Sequence, residues 1–451
     1  MREISCKLLV IGAGPGGYVC AIRAARLGVD TVVVDPAPPG GTCLNVGCIP
    51  SKALIHAAED FHRLQALTPG ISATGAVDLG QVVAWKDGIV ARLTGGVQTL
   101  LRKAGARLIT GTATLRDGKT AEVATPEGPV LLRAEAVVLA TGSEPVALRT
   151  LPFGGKVISS TEALSLAEIP ARLAVIGGGY IGLELGTAFA KMGAQVTVVE
   201  AAPRILPQYD EELTRPVLSR LSALGVRVLT GARAGGLSPG GALRIATDDW
   251  AEEIEADRIL VTAGRRPRSD AAGIPALDLD REGAFVKVDA QCRTSMKGVY
   301  AIGDITGEPM LAHRAMAQGE MVAEIVAGHP RGWDRRAIPA VCFTDPEIVT
   351  VGEHGGAGTI TGLFPFAANG KAMTEAREDG FIRVTARADT HEVLGIQAVG
   401  AGVAELAAGF ALALEMGARL EDITGTIHAH PTRGEALHEA CLRALGQALH
   451  I

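Results

Sequence analysis

Cysteine is scarce in this 451-residue chain: seven residues, at positions 6, 20, 43, 48, 292, 342 and 441. An odd number, scattered without a dense framework, excludes the small disulfide-stapled secreted class and favours a reducing compartment. Long apolar runs are missing too. No segment reaches 18 uninterrupted apolar residues, and even the Ala-rich stretch 403–418 carries Glu405 and Glu415, which excludes a spanning helix. The amino terminus MREISCKLLVIGAG passes from a short apolar run straight into glycine, without a signal h-region or a cleavage site. There is no basic block. A net charge of -6 with both signs mixed along the chain argues against nucleic acid as a main partner and against anionic membranes. Low-complexity segments and long linkers are also absent. The expectation is a soluble, cytoplasmic protein whose partners are small molecules or other proteins.

What is present begins with length, which suggests roughly three or four domains. An internal echo organises the first half. KLLVIGAGPGGYVCAIRAARLGVDTVVVD and RLAVIGGGYIGLELGTAFAKMGAQVTVVE each read as a strand, a Gly-rich turn, an amphipathic helix ended by Gly28 or Gly193, and a second strand. In both copies the first glycine, Gly12 or Gly177, lies 23 residues before an acid, Asp35 or Glu200. This is the pattern of the dinucleotide-binding βαβ unit. Gly12 and Gly177 make the tight turn, Gly14 and Gly179 let backbone approach a pyrophosphate, and Gly17 and Gly182 allow close helix packing. The helix N-terminus offers free N–H groups to phosphates, and Asp35 and Glu200 offer acceptors to ribose hydroxyls. The plainer alternative is a pair of glycine turns in ordinary α/β units, with acids that merely end strands.

AVVLATGSEP (136–145) and RILVTAGRRP (258–267) repeat an apolar strand followed by glycine and proline, and read as exits from the two nucleotide units. KGVYAIGDITGEPMLAHRAMAQGEMVAE offers a strand, Gly303-Asp304, a loop and a helix from about Leu311. After RGWDRRAIP the composition changes to short β-rich runs followed by helices. The expected fold is α/β: a first Rossmann-like domain over 1–145, a second over 146–264, a central segment over 265–335, and an α+β domain over 336–451.

Two of the few cysteines stand five residues apart in GGTCLNVGCIPSK, Gly40 to Lys52. A metal site is disfavoured by that spacing and by the lack of a second ligand pair, since only His56 and His62 are near. A structural bridge conflicts with a reducing compartment, and two core thiols need no glycine and proline context. A redox-active pair is the fourth reading. On an unbroken helix, residues five apart rise about 7.5 Å and point about 140° apart. A disulfide needs Cα atoms roughly 4.4 to 6.8 Å apart, so bridging requires a distorted turn. Gly47 supplies unusual backbone and Pro50 limits helix continuation before it.

GGTCLNVGCIPSKAL, about 25 residues after an N-terminal GxGxxG, resembles the active-site signature of the class I flavin disulfide reductases, which include dihydrolipoyl dehydrogenase, glutathione reductase and mercuric reductase. The resemblance covers almost the whole chain: ATG at 140–142, GGGYIGLELG, GVYAIGD, and HAHPT near the end. It implies FAD in the first βαβ unit, with 265–335 completing the FAD site, a nicotinamide nucleotide in the second, and 336–451 as a dimerisation domain. By the same resemblance, Cys48 lies against the flavin as the charge-transfer thiol and Cys43 is the interchange thiol facing substrate. Lys52 sits near the flavin N5 and pairs with Glu184. Asp304 bonds the ribityl chain, Leu311, Ala312 and His313 present a helix N-terminus to the pyrimidine edge, and Ala113 meets adenine. Gly41, Thr42, Thr141 and Gly142 complete the implied FAD contacts. Tyr180, Ile181, Gly264 and Arg265 complete those of the nicotinamide nucleotide, with Tyr180 a candidate gate. Lys52 and Glu184 as solvated helix charges, Asp304 as a loop acid and Tyr180 as a packed helix aromatic are the plainer alternatives.

After VTVVE come Ala201, Ala202 and Pro203, with Arg204 the only nearby base. An NADP site wants cations there, so NAD is favoured. In TIHAHPTRGEALHEA, Thr432 and Glu435 have capping-box spacing. The resemblance instead makes His430 the acid/base and Glu435 its partner, reaching the other subunit's disulfide in an obligatory homodimer. His428 reads as structural, and Arg433-Gly434 replace the family's Leu-Ser. Within the group, EPMLAHRAMAQGE is most similar to dihydrolipoyl dehydrogenases. FPFAANGKAM and ALGQALHI look most like the component serving branched-chain 2-oxo acid dehydrogenase complexes. That implies a lipoyl domain and an acyltransferase component as partners. A glutathione- or mercuric-reductase-like enzyme and a flavin transhydrogenase are the alternatives. VGEHGGAGTITGLFPF is shorter than the corresponding family segment, which suggests a missing surface helix.

Overall fold

The computed structural model describes residues 2–65 and 68–451. Its first sheet grows from the β-branched runs of the amino-terminal unit. Strand Arg2–Ile11 pairs in parallel with Thr31–Asp35 on one side and Gly128–Leu139 on the other, with Val10 opposite both Val33 and Val138. Leu8, Leu9, Val10, Val32 and Val33 are all fully buried, as a sheet covered on both faces requires. Arg107–Thr110 extends the sheet beyond Thr31–Asp35, and the hairpin Thr112–Leu115 and Thr120–Thr125 adds to the start of Gly128–Leu139. Much later in the chain, Val299–Ala301 returns to pair in parallel with Val137–Leu139. That pairing brings Gly303-Asp304 to the carboxyl edge of the first sheet.

Helix Ala312–Val326 then packs on helix Pro15–Arg26 at glycine contacts: a Cβ on Gly319 would lie 2.4 Å from Gly16 O. Two elements almost 300 residues apart in the chain thus form one wall around the first Gly-rich turn.

The second unit repeats the plan. Parallel strands run in the order Arg227–Thr230, Gln195–Glu200, Arg172–Ile176, Arg258–Val261 and Val157–Ile158, with helix Tyr180–Lys191 after the second Gly-rich turn. A short antiparallel ribbon, Ser143–Pro145 with Arg265–Pro267, ties its exit to that of the first unit. The last third of the chain is a five-stranded antiparallel sheet in the order Ala340–Cys342, Glu347–Gly352, Val393–Gly400, Phe381–Arg387 and Thr359–Pro365. Helices Ala407–Glu415 and Glu435–Ala444 share its core, which is built on Phe364, Phe366, Ile396 and Phe410. Residues 353–358, between two of its strands, form no helix. Among the described residues, no helix is long and apolar enough to cross a membrane, and no group of His, Cys, Asp and Glu is placed to hold a metal ion.

Candidate active site

The first Gly-rich turn forms the floor of a cleft of about 480 Å³. Gly12 has φ of +102°, and a Cβ there would stand 2.2 Å from Ala140 O. A Cβ on Gly17 would stand 1.9 Å from Gly12 O, so helix Pro15–Arg26 sits directly on the strand end. Gly14 differs: its Cβ would meet nothing closer than 3.9 Å, which leaves backbone open to the cleft. Open backbone at a helix N-terminus suits a pyrophosphate.

Asp35 stands at the end of strand Thr31–Asp35, accepting from Ala13 N at 2.7 Å and from Ala37 N at 2.8 Å. Glu200 makes the same pair of bonds in the second unit, from Gly178 N and Ala202 N, both at 2.6 Å. Each acid thus fastens its turn to the second strand, and lone pairs remain on both carboxylates.

Of the residues expected around FAD, Gly12, Gly14, Gly17, Asp35, Gly41, Thr42, Lys52, Ala113, Thr141, Gly142, Asp304 and Ala312 all line this one cleft. Leu311 is the N-cap of helix Ala312–Val326 and does not line it. His313 turns away, its Nε2 lying 2.8 Å from Pro339 O, and burial pulls its pKa down. From the second unit Tyr180 and Ile181 reach the cleft, as does Arg265 just past its end, whereas Gly177, Gly179, Gly182, Glu200 and Gly264 stand outside it. A Cβ on Gly179 would meet nothing within 4 Å, so this turn also leaves open backbone. Arg204 donates to Pro207 O at 3.1 Å, within its own loop.

Cys43 lies in the short helix Gly41–Val46 and Cys48 begins helix Cys48–Gln65. Between them Gly47 has φ of -143° and ψ of -109°, which breaks the helix, and a Cβ there would press 2.8 Å from Thr42 O. Pro50 falls in the first turn of the new helix, where its missing N–H costs nothing. Both cysteines are free thiols and both line the cleft. A hydrogen bond from the Cys43 thiol, aided by Lys52 and opposed by burial, brings Cys48 down to about 7, while Cys43 is pushed up by its bond to Cys48 and by burial. Of the two sulfurs, Cys48 is therefore the one whose thiolate is favoured.

One turn after Cys48, Lys52 Nζ donates to Glu184 Oε2 at 2.8 Å and lies 4.3 Å from the centre of the Phe343 ring. Glu184 is 4% exposed, and its Oε1 accepts from Phe343 N at 2.9 Å. The first unit, the second unit and the last third of the chain therefore meet at one carboxylate. A second knot joins Ser143, Arg265 and Asp304. Ser143 Oγ donates to Asp304 Oδ2 at 2.5 Å and accepts from Arg265 Nε at 2.8 Å. Gln318 Oε1, buried, accepts from Gly303 N at 2.7 Å. Sequence reasoning passed over Ser143, Gln318 and Phe343. Ser143 directly follows Thr141-Gly142, an available signal; Phe343 has none, since its partner lies 159 residues away.

His430 and Glu435 lie on the last third of the chain and do not line the cleft of the same chain. Glu435 Oε1 lies 2.9 Å from His430 Nδ1, and its Oε2 accepts from Thr432 N at 2.8 Å. Only half of the capping box forms. The Thr432 hydroxyl donates to Ala429 O instead, and the helix starts at Glu435 behind Gly434. Burial works against ionisation of Glu435, but the Thr432 amide and His430 hold its carboxyl below the usual range. The His430 side chain is 80% exposed, with Nδ1 engaged and no hydrogen bond to Nε2 among the described residues. His428 is held locally, its Nδ1 3.0 Å from Thr426 O. Arg433 turns inward, donating to Glu375 at 2.8 Å and stacking 5.2 Å from the Phe366 ring.

Comparison with known proteins agrees with this geometry. Residues 6–319 match the model of the pyridine nucleotide-disulphide oxidoreductases, and residues 338–441 match the dimerisation domain of the same family. The dihydrolipoyl dehydrogenase of Pseudomonas aeruginosa is 56% identical over 461 residues, covering 99% of each chain. That of Geobacillus stearothermophilus is 41% identical over 460 residues, covering 99% of this chain and 98% of its own. The crystal structure of LpdA from Mycobacterium tuberculosis superposes with a TM-score of 0.90 at 26% identity, covering 97% of this chain and 99% of that one. The flavoprotein disulfide reductase RclA of Escherichia coli shares the fold, with a TM-score of 0.86 at 24% identity over 96% of this chain and 99% of that one. With two dinucleotide turns, a thiol pair between them and matches that span both halves of the chain, this protein belongs to the pyridine nucleotide-disulphide oxidoreductase family.

Proposed function

We propose that the chain acts as a dihydrolipoyl dehydrogenase, oxidising dihydrolipoyl groups to the cyclic disulfide with NAD as acceptor. The observation that carries this reading is the Cys43–Cys48 pair in the wall of a dinucleotide cleft, with Lys52–Glu184 one turn away. Residues 1–145 with 265–335 hold FAD, residues 146–264 hold NAD, and residues 336–451 form the dimer interface. The open backbone at Gly14, with Asp35 and Ala113 at one part of the cleft and Asp304 and Ala312 at another, fits an extended dinucleotide.

Nδ1 of His430 donates to Glu435, which leaves Nε2 of His430 of the partner subunit to take a proton from the substrate thiol. The thiolate attacks Cys43 Sγ; the Cys43–Cys48 bond breaks and its electron pair stays on Cys48 Sγ. The second substrate thiolate then attacks its neighbour in the mixed disulfide and releases Cys43. When bound, FAD would supply the acceptor for the electron pair and NAD the final acceptor as hydride. Ser143 and Arg265 orient the Asp304 carboxylate towards the cleft.

The enzyme is read as cytoplasmic and homodimeric, a component of a 2-oxo acid dehydrogenase complex, with the branched-chain complex the best fit to the segments at 364–373 and 444–451. Anaerobic addition of dihydrolipoamide is expected to raise a long-wavelength thiolate-to-flavin band that NAD discharges. Turnover surviving in Cys43→Ser would refute the thiol route, and NADPH used as efficiently as NADH would refute the choice of nucleotide.

A further inference from the structure

Glu184 also lines a second cavity, of about 170 Å³, which contains neither cysteine nor Lys52. Thr187, Ala188 and Lys191 follow Glu184 at helical spacing and line it too, so one face of helix Tyr180–Lys191 forms a wall. The other walls bring Glu59 from helix Cys48–Gln65 and Asp345, Glu347 and Arg377 from the last third of the chain. Two buried polar atoms here have no hydrogen-bond partner: Thr187 Oγ1, on a residue 5% exposed, and Arg377 Nε. A space of this size has room for about five waters, and orphaned buried polar groups are where internal water is found. Arg63, with its side chain 69% exposed, lines the same cavity and opens it to bulk solvent.

The charges inside are unequal. Lys191 is paired with Glu59 and, at 2.6 Å, with Asp345, and Arg377 is paired with Asp345. Against burial, these cations hold Glu59 and Asp345 below the usual carboxylate range. Glu347 alone goes the other way. Burial pushes it up, with Glu405 and Asp345 adding to the effect and the Ala404 amide and Arg377 opposing it. Its Oε2 accepts from Ala404 N at 2.9 Å.

We infer that this chamber is a water-filled proton entry for the Lys52–Glu184 pair, with the Thr187 hydroxyl and Glu347 as its relay points, separate from the thiol cleft. The inference rests on the reading of Lys52 as the residue beside the flavin. Glu184 lines the chamber and pairs with Lys52, which itself lines only the cleft. The protons balance. Both substrate protons leave through His430 of the partner subunit, one proton enters through the chamber and departs within the hydride, and one proton is released per turnover.

The test uses the holoenzyme with Thr187→Val, Glu347→Gln and Thr187→Ser, and Thr94→Val as a distant control. In both relay variants the long-wavelength band should form with dihydrolipoamide at the wild-type rate. NADH formation after NAD addition should slow roughly fivefold or more, the rate equivalent of one lost hydrogen bond. Thr187→Ser should recover the wild-type rate, and Thr94→Val should keep it. In the apoprotein, infrared spectra across pH should show a carboxylic acid band that persists above the ordinary glutamate range and that Glu347→Gln removes. Wild-type NADH formation in both relay variants, or no such band, overturns the proposal. A wild-type protein without the long-wavelength band overturns instead the functional reading on which it rests.

Discussion

Cys48 is acidic because of its neighbours rather than its exposure. The Cys43 thiol and Lys52 outweigh burial and bring it from 9.0 to about 7, whereas Cys43 moves the opposite way. Iodoacetamide alkylation of the reduced protein should therefore rise through pH 7. Lys52→Met should move that profile to higher pH by roughly one unit, the equivalent of about 1.4 kcal/mol. The sign for stability follows from the same shifts. A thiol whose folded pKa is depressed adds stability that is full above its unfolded value and is lost as pH falls through about 7. Cys43, raised when folded, subtracts stability once the unfolded thiol ionises, so the pair favours a stability maximum near pH 9, measurable by urea denaturation across pH. At the other end of the proposed reaction, Glu435→Gln should leave bound FAD unchanged and reduce thiol turnover by about 10² to 10⁴, since His430 then loses the partner that leaves Nε2 free.

Among the elements, the broken helix around Gly47 decides whether the two cysteines meet. Gly47→Ala would place a Cβ 2.8 Å from Thr42 O and 3.2 Å from the Thr42 methyl. A destabilisation of about 1 to 3 kcal/mol is expected in denaturant titration, and air oxidation should leave two titratable thiols where the wild type closes a disulfide. The break was legible in the sequence because glycine before Cys48 and proline after it have local meanings. Helix Tyr180–Lys191 was less legible. Its Gly-rich start and apolar faces read clearly, but Glu184, Thr187 and Lys191 on one face carry no sign of the cavity they line. The capping-box spacing at Thr432 and Glu435 was legible but incomplete as a guide, because one carboxylate oxygen bonds the Thr432 amide while the other serves His430.

In the whole molecule, Lys191, Glu59, Asp345 and Arg377 join the first unit, the second unit and the last third of the chain at a buried charge cluster. Lys191→Met removes one cation from two buried carboxylates and should cost about 3 to 5 kcal/mol, read as a lower Tm. Glu59 and Asp345 are both depressed. Their contribution is present above the ordinary carboxylate pKa and is lost as pH falls through the lower folded values, so the variant should also lose much of the wild type's acid sensitivity. The last third of the chain leaves Ile427 96%, Met416 75% and Leu412 62% exposed, apolar surface of the kind a second subunit covers. Ile427→Glu should give a monomer by sedimentation that binds FAD but has lost thiol turnover.

The chain alone determined what local pattern encodes: two dinucleotide units, their paired acids, the thiol pair and the change of composition towards the carboxyl end. Each is written in residues within about one βαβ unit of one another, where periodicity and turn chemistry act directly. Tertiary structure decided the rest. Ser143 meets Asp304 across 161 residues and Phe343 closes on Glu184 across 159; the Lys52–Glu184 pair, across 132, was named by family resemblance and has no local signal of its own. Contacts of that range leave no periodic trace in a single sequence, because their energy arises only when folding removes both partners from water.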